Sequence, residues 1–333
     1  MKVLVVSFTS RADLLFATPL LRSLKILQGD TEVHVCTQSG LDSVLEANPY
    51  VDVCHTFDTS PRVLRARLKE LRFGAVIDLG VAWRHRSFVR SIGAPVYRAQ
   101  QLAPERWLMV SLKVNKLPNK HIATRFLDAA RPLGIATDDL GLDCFIPDRD
   151  DVPPEWLPDG FQHEWIAVCI QAPYNTRKLP VSRLIELCDK INKPIILLGD
   201  NDDAEAGAVV ENFFRQTDSD TETGLKELNK KATVYNACGK FSFNQMASVV
   251  RKAKYVFTYD NDMLPVAAAF NKETFTLWGN TITLFGRYPY QSRFVVLENN
   301  KVSCRPCSSR GYASCPQGHF KCMNDIVFDF YLP

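Results

Sequence analysis

A polar loop at positions 259–262 stands between an apolar run, 255–258, and an alanine-rich segment that is typical of a helix. The loop consists of Tyr259, Asp260, Asn261 and Asp262, and Met263 follows it. A strand, a polar loop and a helix N-terminus form a unit with which α/β proteins bind a phosphate, because the first N–H groups of a helix have no partner within it. The spacing alone favours a plainer interpretation, a βαβ turn whose acids cap the helix.

A guanidinium and a carboxylate follow the first predicted strand, in the segment 7–13. Arg11 and Asp13 would lie at the C-terminal edge of an N-terminal sheet and face a cleft. A carboxylate there could act as the general base for a hydroxyl nucleophile. It could equally cap a helix that starts at Leu14, and its position alone favours the cap.

The segment 171–178 brings polar and basic side chains directly after the first strand of the second half of the chain. The phosphate-seeking residues are Asn175, Thr176, Arg177 and Lys178. The amine of Lys178 could stabilise negative charge that develops on a leaving diphosphate. Ordinary surface charge explains the same residues equally well.

A cluster of acids at 199–205 follows another predicted strand. Asp203 and Glu205 are the two members that we consider as ligand-binding residues. Acids at such a turn commonly bind ribose hydroxyls in nucleotide-binding sheets. Helix capping explains them too.

Four cysteines and a histidine lie within nineteen residues near the end of the chain. They are Cys304, Cys307, Cys315, His319 and Cys322. In a reducing compartment this set fits tetrahedral zinc, bound by the four thiolates or by three thiolates and the imidazole. Disulfides or idle thiols are the alternative, and we favour a structural metal with no open coordination position.

Repeated strand and helix patterns must position these residues. They predict an α/β protein with two Rossmann-like, doubly wound domains at 1–150 and 160–333, a proline-rich acidic linker at 138–159, and a ligand cleft between the domains. The predicted strands are 3–6, 32–36, 51–56, 75–79, 94–98, 165–170, 194–198, 233–236, 255–258 and 272–278. The predicted helices are 13–25, 41–47, 62–71, 87–92, 121–133, 181–190, 204–216, 242–252 and the alanine-rich segment.

Positive charge is concentrated at 62–131, where fifteen Lys or Arg accompany four acids. Solvated helix faces explain such an excess, and so does an anionic partner such as a phosphorylated sugar or an acidic lipid headgroup. Nucleic acid is the weakest of these partners, because no recognition motif accompanies the charge.

The 333 residues contain no run of about 18 apolar residues, so the sequence predicts no transmembrane helix. Residues 1–6 are typical of a buried strand, and we expect no signal peptide. The ten cysteines then indicate a reducing cytoplasm. The six outside the C-terminal cluster are expected to be small buried side chains: Cys36, Cys54, Cys144, Cys169, Cys188 and Cys238.

Together these pieces resemble the heptosyltransferase-type glycosyltransferases of family 9, which have the GT-B fold. The motifs that carry the resemblance occur over most of the chain in the family's order, and the cysteine-rich end resembles a variant found in part of the family. The motifs are RADLLFATPLLR at 11–22, TRKLP at 176–180, IILLG at 195–199, NACGK at 236–240, TYD at 258–260 with AAA at 267–269, and LWGNT at 277–281 with FGRYPY at 285–290.

The resemblance implies inverting, metal-independent transfer of a sugar from a nucleotide-diphosphate donor, typically ADP-heptose, to a lipopolysaccharide core acceptor. It implies that Asp13 deprotonates the acceptor hydroxyl and that Lys178 steadies the diphosphate. Asp260 with the backbone of 261–263 would hold the donor, and an acid in 200–205 would bind the nucleoside.

The resemblance also implies an anionic glycolipid or oligosaccharide acceptor at the cytoplasmic face of the inner membrane, with no cofactor for catalysis. The basic residues expected to bind this acceptor are Arg11, Arg84, His85 and Arg86.

Four positions depart from the family's motifs. Ala12 stands where the family has Gly before the catalytic Asp, and Asn261, Asp262 and Pro265 replace the Thr, Gly and His of its Asp-Thr-Gly-x-x-His. Asp262 places a negative charge beside the expected diphosphate, which should reduce donor affinity unless Arg177 or Lys178 compensates. The alternative function is therefore a non-catalytic protein that binds a sugar nucleotide or glycolipid through a degenerate donor loop.

Overall fold

The computed structural model describes residues 1–27, 29–80, 85–219 and 232–333. Their strands form two all-parallel sheets, one in each half of the chain. The predicted pair of doubly wound α/β domains is confirmed. The exact domain boundaries at 150 and 160 stay a prediction.

The N-terminal domain has a five-stranded sheet in the order β3-β2-β1-β4-β5. A π-helical turn, Leu108–Leu112, directly continues its fifth helix. The elements are β1 (Lys2–Val6), α1 (Arg11–Phe16), α2 (Thr18–Leu27), β2 (Glu32–Gln38), β3 (Val53–Phe57), α3 (Arg65–Glu70), β4 (Ala75–Asp78), α4 (His85–Arg90), β5 (Val96–Arg98), α5 (Ala103–Trp107) and α6 (Ile122–Ala130).

The C-terminal domain has a six-stranded sheet in the order β11-β10-β9-β6-β7-β8. Its elements are β6 (Ile166–Cys169), α7 (Val181–Ile191), β7 (Ile195–Leu198), α8 (Ala204–Ser219), β8 (Val234–Asn236), α9 (Phe243–Lys252), β9 (Tyr255–Tyr259), α10 (Met263–Ala269), β10 (Thr274–Trp278), β11 (Phe294–Glu298) and α11 (Lys321–Asn324).

Both sheets are covered on their two faces, which explains why their central strands are continuously apolar. In β1, Val3 and Val5 belong to one buried cluster, whereas Leu4 and Val6 belong to another. Each sheet reverses its strand order once, between β1 and β4 in the first and between β6 and β9 in the second. Ligands of open α/β sheets bind at such switch points.

The two domains pack against each other through α1 and α10. Leu14 and Leu15 of α1 share one buried apolar cluster with Leu264 and Ala267 of α10. The loops that follow β1 and β9 immediately precede these two helices, so the same packing brings the loops together.

The predicted linker is attached to both domains by ion pairs. Arg22 of α2 pairs with Asp138 and Asp143, and Asp151 pairs with Lys252 of α9. These contacts fix the path of the chain between the two sheets.

Several predicted elements differ from the observed ones. The helix predicted at 41–47 is only a 3-10 turn, Asp42–Leu45, because Pro49 disfavours helical backbone just before it. The helix predicted at 62–71 begins with a separate 3-10 turn, Pro61–Leu64. The sequence analysis missed α5 and β11. No helix in the described ranges is long and apolar enough to cross a membrane.

Candidate active site

Asp13 lies inside the first turn of α1, so the helix begins before it. Ser10 is the N-cap, and its hydroxyl accepts a hydrogen bond from the Asp13 backbone N–H at 3.1 Å. The capping role considered for Asp13 is therefore wrong, because the cap is provided three residues earlier. The carboxylate of Asp13 is available for other contacts.

The Asp13 carboxylate is buried between a hydroxyl and a guanidinium. Thr9 donates its hydroxyl hydrogen to Oδ2, and Nη1 of Arg287 donates to Oδ1 at 2.5 Å. Burial by itself would raise the pKa of Asp13, but Arg287 and the Thr9 hydroxyl lower it below its ordinary value. Asp13 is thus ionised at neutral pH, as a general base must be.

Arg287 joins the two domains at this point. Its Nε atom lies 3.6 Å from Oδ1 of Asp260, and its guanidinium lies 5.4 Å from the centre of the Phe16 ring. Burial acts to lower the pKa of Arg287, but Asp13 and Asp260 raise it above its ordinary value. The sequence analysis included Arg287 in the FGRYPY motif without assigning it a role.

Asp260 and Arg177 meet at the switch point between β6 and β9. Nη1 of Arg177 donates to the Asp260 carbonyl at 2.9 Å and lies 3.1 Å from Oδ2 of the same residue. The Nε of Arg177 is buried and has no hydrogen-bond partner among the residues that the structure describes. One donor of this guanidinium is therefore unpaired within the part of the chain that the structure describes.

Asn261 holds the loop after β9 in shape. Its side-chain oxygen accepts from the Thr258 hydroxyl at 2.8 Å and from the Met263 N–H at 2.9 Å, and its amide donates to the Gln171 carbonyl at 2.9 Å. Met263 is fully buried at the start of α10. These contacts make both residues supports of the loop.

Two departures from the family's motifs touch each other. The Ala12 N–H donates to Oδ1 of Asp262 at 3.0 Å, and Nη1 of Arg11 lies 3.9 Å from Oδ2. Burial raises the pKa of Asp262, although the hydrogen bond from Ala12 and the charge of Arg11 act against this rise. The Asp262 carboxylate thus bridges the domains beside Asp13.

Lys178 and Asp203, predicted to bind different parts of a donor, are paired with each other. Nζ of Lys178 lies 2.5 Å from Oδ1 of Asp203, whose Oδ2 accepts the Asp200 N–H at 3.0 Å. Asp200 and Asp203 form a capping box, so the capping considered for this cluster is present. Glu205 is exposed at the start of α8.

Thr176 connects the 175–178 loop to the cysteine-rich segment. Its hydroxyl oxygen accepts the Tyr312 N–H at 2.8 Å, and its own N–H donates to the Tyr312 carbonyl at 3.2 Å. Gly311 also approaches the Tyr174 ring so closely that a Cβ would lie 2.6 Å from the Tyr174 Cβ. Asn175 is exposed beside these contacts.

The cysteine-rich segment brings its thiols near one another. Sγ of Cys304 lies 3.8 Å from Nε2 of His319. Burial and the neighbouring Cys304 and Cys315 raise the pKa of Cys307, and burial with the other thiols raises the pKa of Cys322 to about 12. Within the described ranges, no three His, Cys, Asp or Glu side chains are arranged to hold a metal. The metal set stays a prediction.

The predicted acceptor residues have different positions. Arg11 donates to the Gly40 carbonyl at 3.1 Å and lies 5.2 Å from the Phe243 ring centre, while Arg86 is exposed on α4. Arg84 lies outside the described residues, and of His85 only the backbone is described.

Part of the positive charge at 62–131 is used within the fold. Arg125 is buried and donates to the carbonyls of Gln100 and Phe285, at 3.0 and 3.1 Å. Burial, together with the charges of Arg106 and Arg287, lowers its pKa to about 10. This residue is a structural support and not a free surface cation.

Arg106 of α5 is a second site residue that the sequence analysis missed. Burial, together with the charge of Arg287, lowers its pKa, whereas Asp13 and Asp260 raise it. Its Nε atom is buried without a hydrogen-bond partner among the described residues. Arg106 is thus an incompletely paired cation close to the Asp13 carboxylate.

Comparison with known proteins identifies the family. The family model described as glycosyltransferase family 9 (heptosyltransferase) matches residues 62–315, which is more than half of the chain. This chain belongs to glycosyltransferase family 9. It is accordingly a glycosyltransferase. A search of the curated proteins found no match.

Solved structures of family 9 share the fold. The ADP-heptose lipopolysaccharide heptosyltransferase II of E. coli is 18% identical, with a TM-score of 0.67 and 98% of each chain covered. A family 9 glycosyltransferase from Veillonella parvula is 19% identical, with a TM-score of 0.67, 89% of this chain covered and 86% of the other. The dodecameric iron-containing heptosyltransferase TibC of E. coli is 12% identical, with a TM-score of 0.53, 97% of this chain covered and 71% of the other.

Proposed function

We propose that this protein is an inverting, metal-independent glycosyltransferase. It moves a heptose-like sugar from a nucleotide-diphosphate donor, ADP-heptose, to a lipopolysaccharide core or a related envelope glycan. The observation that carries the proposal is the buried, ionised carboxylate of Asp13, which is paired with Arg287 across the two domains. The ADP-heptose lipopolysaccharide heptosyltransferase II of E. coli shares this fold, which supports the choice of donor.

The proposed reaction is a direct displacement. The acceptor hydroxyl gives its proton to Asp13 while its oxygen forms a bond to the anomeric carbon, and the bond from that carbon to the diphosphate oxygen breaks. The diphosphate leaves with the electron pair, and the anomeric configuration inverts. Such a step needs positioning, one base and charge stabilisation at the leaving group.

The cations beside β6 are suited to stabilise the leaving diphosphate. Lys178 is held at the loop by Asp203, and Arg177 is held by Asp260 with one donor still unpaired. Developing negative charge can thus be stabilised by groups that are already in place. Asp203 is paired with Lys178, and Glu205 follows it at the exposed start of α8, where the nucleoside is proposed to bind.

The charge of Asp262 does not by itself argue for a degenerate site. Its carboxylate accepts the Ala12 N–H and faces Arg11, so part of its charge is compensated by the other domain. This pairing supports an active enzyme over the alternative of a non-catalytic sugar-nucleotide or glycolipid-binding protein. Asp262 then contributes to the contact between the two domains.

The proposed acceptor is an anionic glycolipid or oligosaccharide, which the protein meets in the cytoplasm as a peripheral protein of the inner membrane. Arg11 and the exposed Arg86 are proposed to bind its anionic groups, with Arg84 and His85 in the preceding chain. Nucleic acid is not a proposed partner.

We further propose a structural zinc ion held by Cys304, Cys307, Cys315 and Cys322. The number of these cysteines and their spacing within one short segment support it, because cysteine thiolates are preferred ligands of structural zinc. Metal analysis of the purified protein should find one zinc ion per chain, and none in Cys304→Ser/Cys307→Ser. Absence of stoichiometric zinc from the unaltered protein would end the zinc proposal.

Thermal unfolding against a panel of nucleotides and nucleotide sugars tests the donor. A ligand present at about a hundred times its dissociation constant should stabilise the folded protein by ~3 kcal/mol. ADP or an ADP-sugar should raise the melting temperature selectively, while UDP and GDP compounds should not. Selective stabilisation by another nucleotide would show that the donor carries that nucleotide and not ADP. A flat panel would favour a degenerate donor site.

A further inference from the structure

The residues 103–116, which comprise α5, the π-helical turn and the four residues after it, form an exposed apolar surface. No residue of α5 or of the turn is buried. Trp107, Leu112 and Val114 are 58%, 58% and 42% exposed. No other stretch of eight described residues exposes three large apolar side chains. Such clustering marks an interaction surface, whereas single exposed apolar residues do not.

Positive charge accompanies this surface. Lys113 and Lys116 are exposed within it, Lys120 follows it, and Glu105 is the only acid from 103 to 120. Exposed tryptophan and aliphatic side chains among lysines match the boundary between the headgroups and the acyl chains of an anionic bilayer.

The surface is linked to the Asp13 site near one end and to the cysteine-rich segment near the other. Arg106, next to Trp107 in α5, interacts electrostatically with Asp13 and Asp260. Nζ of Lys113 donates to the carbonyls of Cys304 and Pro306 in the C-terminal domain, at 2.9 and 2.7 Å. The exposed apolar side chains are therefore held in a set orientation relative to the proposed base.

We propose that residues 103–116 dock on an anionic lipid bilayer and so bring a membrane-borne acceptor to Asp13. This inference rests on the proposed function for the nature of the acceptor, although bilayer binding itself does not require sugar transfer. Trp107, Leu112 and Val114 enter the interface, and Lys116 remains at the headgroups.

Flotation with lipid vesicles tests the docking. The protein should bind vesicles of phosphatidylcholine with 30% phosphatidylglycerol, and added salt should weaken the binding. Pure phosphatidylcholine vesicles should bind it at least tenfold more weakly. Trp107→Ser/Leu112→Ser should lose at least tenfold in binding, and Lys116→Glu should lose less.

Trp156→Ser is the matched control, because Trp156 is an equally exposed tryptophan elsewhere, at 63%. It should bind vesicles like the unaltered protein, and circular dichroism should show that both tryptophan variants are folded. Equal losses in the two variants, or no binding of the unaltered protein to anionic vesicles, would overturn the proposal. A third result would also overturn the proposal. If the unaltered protein is a dimer that does not bind vesicles, and Trp107→Ser/Leu112→Ser is a monomer, a second copy of the chain covers this surface.

Two acceptor forms separate this inference from the proposed function. With ADP-heptose, Trp107→Ser/Leu112→Ser should transfer normally to a deacylated core oligosaccharide and at least tenfold more slowly to lipopolysaccharide in vesicles. Equal rates on both forms would overturn the docking and leave the transferase intact. Trp107→Ser/Leu112→Ser could lose vesicle binding as expected while neither it nor the unaltered protein transfers a sugar. That result would support the docking and overturn the proposed transfer reaction.

Discussion

The loops after β1 and β6 lie at corresponding places in the two sheets, but they are held in different ways. The key side chain of the first, Asp13, is paired with Arg287 of the opposite domain. The key side chain of the second, Lys178, is paired with Asp203 of its own domain. The proposed base therefore depends on contact between the domains, whereas the cation proposed for the diphosphate does not.

Because Asp13 and Lys178 are held in different ways, substitutions near each of them should change different kinetic quantities. A change in the domain contact should alter the ionisation of Asp13 and thus the pH dependence of turnover. A change at Lys178 should alter donor binding and the stabilisation of the leaving group. Four substitutions test this separation.

Asp13→Asn should have the largest effect, because it removes the proton acceptor while keeping the shape of the side chain. We expect turnover to fall by about a thousandfold. Donor affinity should change little, since Asp13 lies on the acceptor side. Steady-state kinetics and calorimetric titration of the donor measure the two quantities. Asp151→Asn, in an ion pair of the linker, is the control and should retain turnover. Unchanged turnover in Asp13→Asn would remove Asp13 as the base.

Lys178→Met should lower the turnover number by about a hundredfold, because one donor to the leaving diphosphate is lost. Donor affinity should fall as well, in contrast to Asp13→Asn. The turnover number and the donor dissociation constant, measured at one pH, make the distinction. Lys190→Met, on an exposed lysine of α7, serves as the control. Normal donor binding and normal turnover in Lys178→Met would show that the diphosphate does not bind at Lys178.

Arg287→Gln should move the acidic limb of the pH profile of kcat/KM to higher pH. Arg287 lowers the pKa of Asp13, so its removal raises that pKa and leaves the base protonated over a wider acidic range. Activity lost near neutral pH should then recover partly as the pH rises. A profile with an unchanged acidic limb would show that the ionisation of Asp13 does not depend on the domain contact.

Asp262→Gly/Pro265→His restores the family's Gly and His at these two positions. This variant should have the smallest effect on the measured constants. We expect the donor dissociation constant to change by less than about threefold, because Ala12 and Arg11 already compensate part of the Asp262 charge. Titration with ADP and with an ADP-sugar measures it. A gain of tenfold or more would favour the degenerate binding protein over the enzyme.

The sequence was sufficient for the two α/β domains and for the loops that carry the site, because strand and helix periodicities are local. The places of Asp13 and Lys178 after strands made them candidates, and the resemblance to the family gave them roles that stay predictions. The partners of these residues were not predictable in the same way. Arg287 lies 274 positions from Asp13, and no spacing relates them.

Contacts between positions far apart in the chain also explain the other differences between the sequence predictions and the structure. The contact between Ala12 and Asp262 joins two positions that the sequence analysis treated as separate departures from the family's motifs. The backbone of Asn261 was predicted to contact the donor, which stays a prediction, and the sequence did not show that its side chain holds the loop. A local sequence pattern identifies a polar side chain, and only the packing of the two domains decides which group it contacts.

Mass spectrometry of the products is the most direct test of the central claim, that this chain transfers a sugar from ADP-heptose by way of the Asp13 site. The purified protein is incubated with ADP-heptose and a heptose-free lipopolysaccharide core. We expect an acceptor heavier by one heptose, an equal amount of ADP, and neither product with Asp13→Asn. Donor binding without any product, or product formed only from another nucleotide sugar, would contradict it.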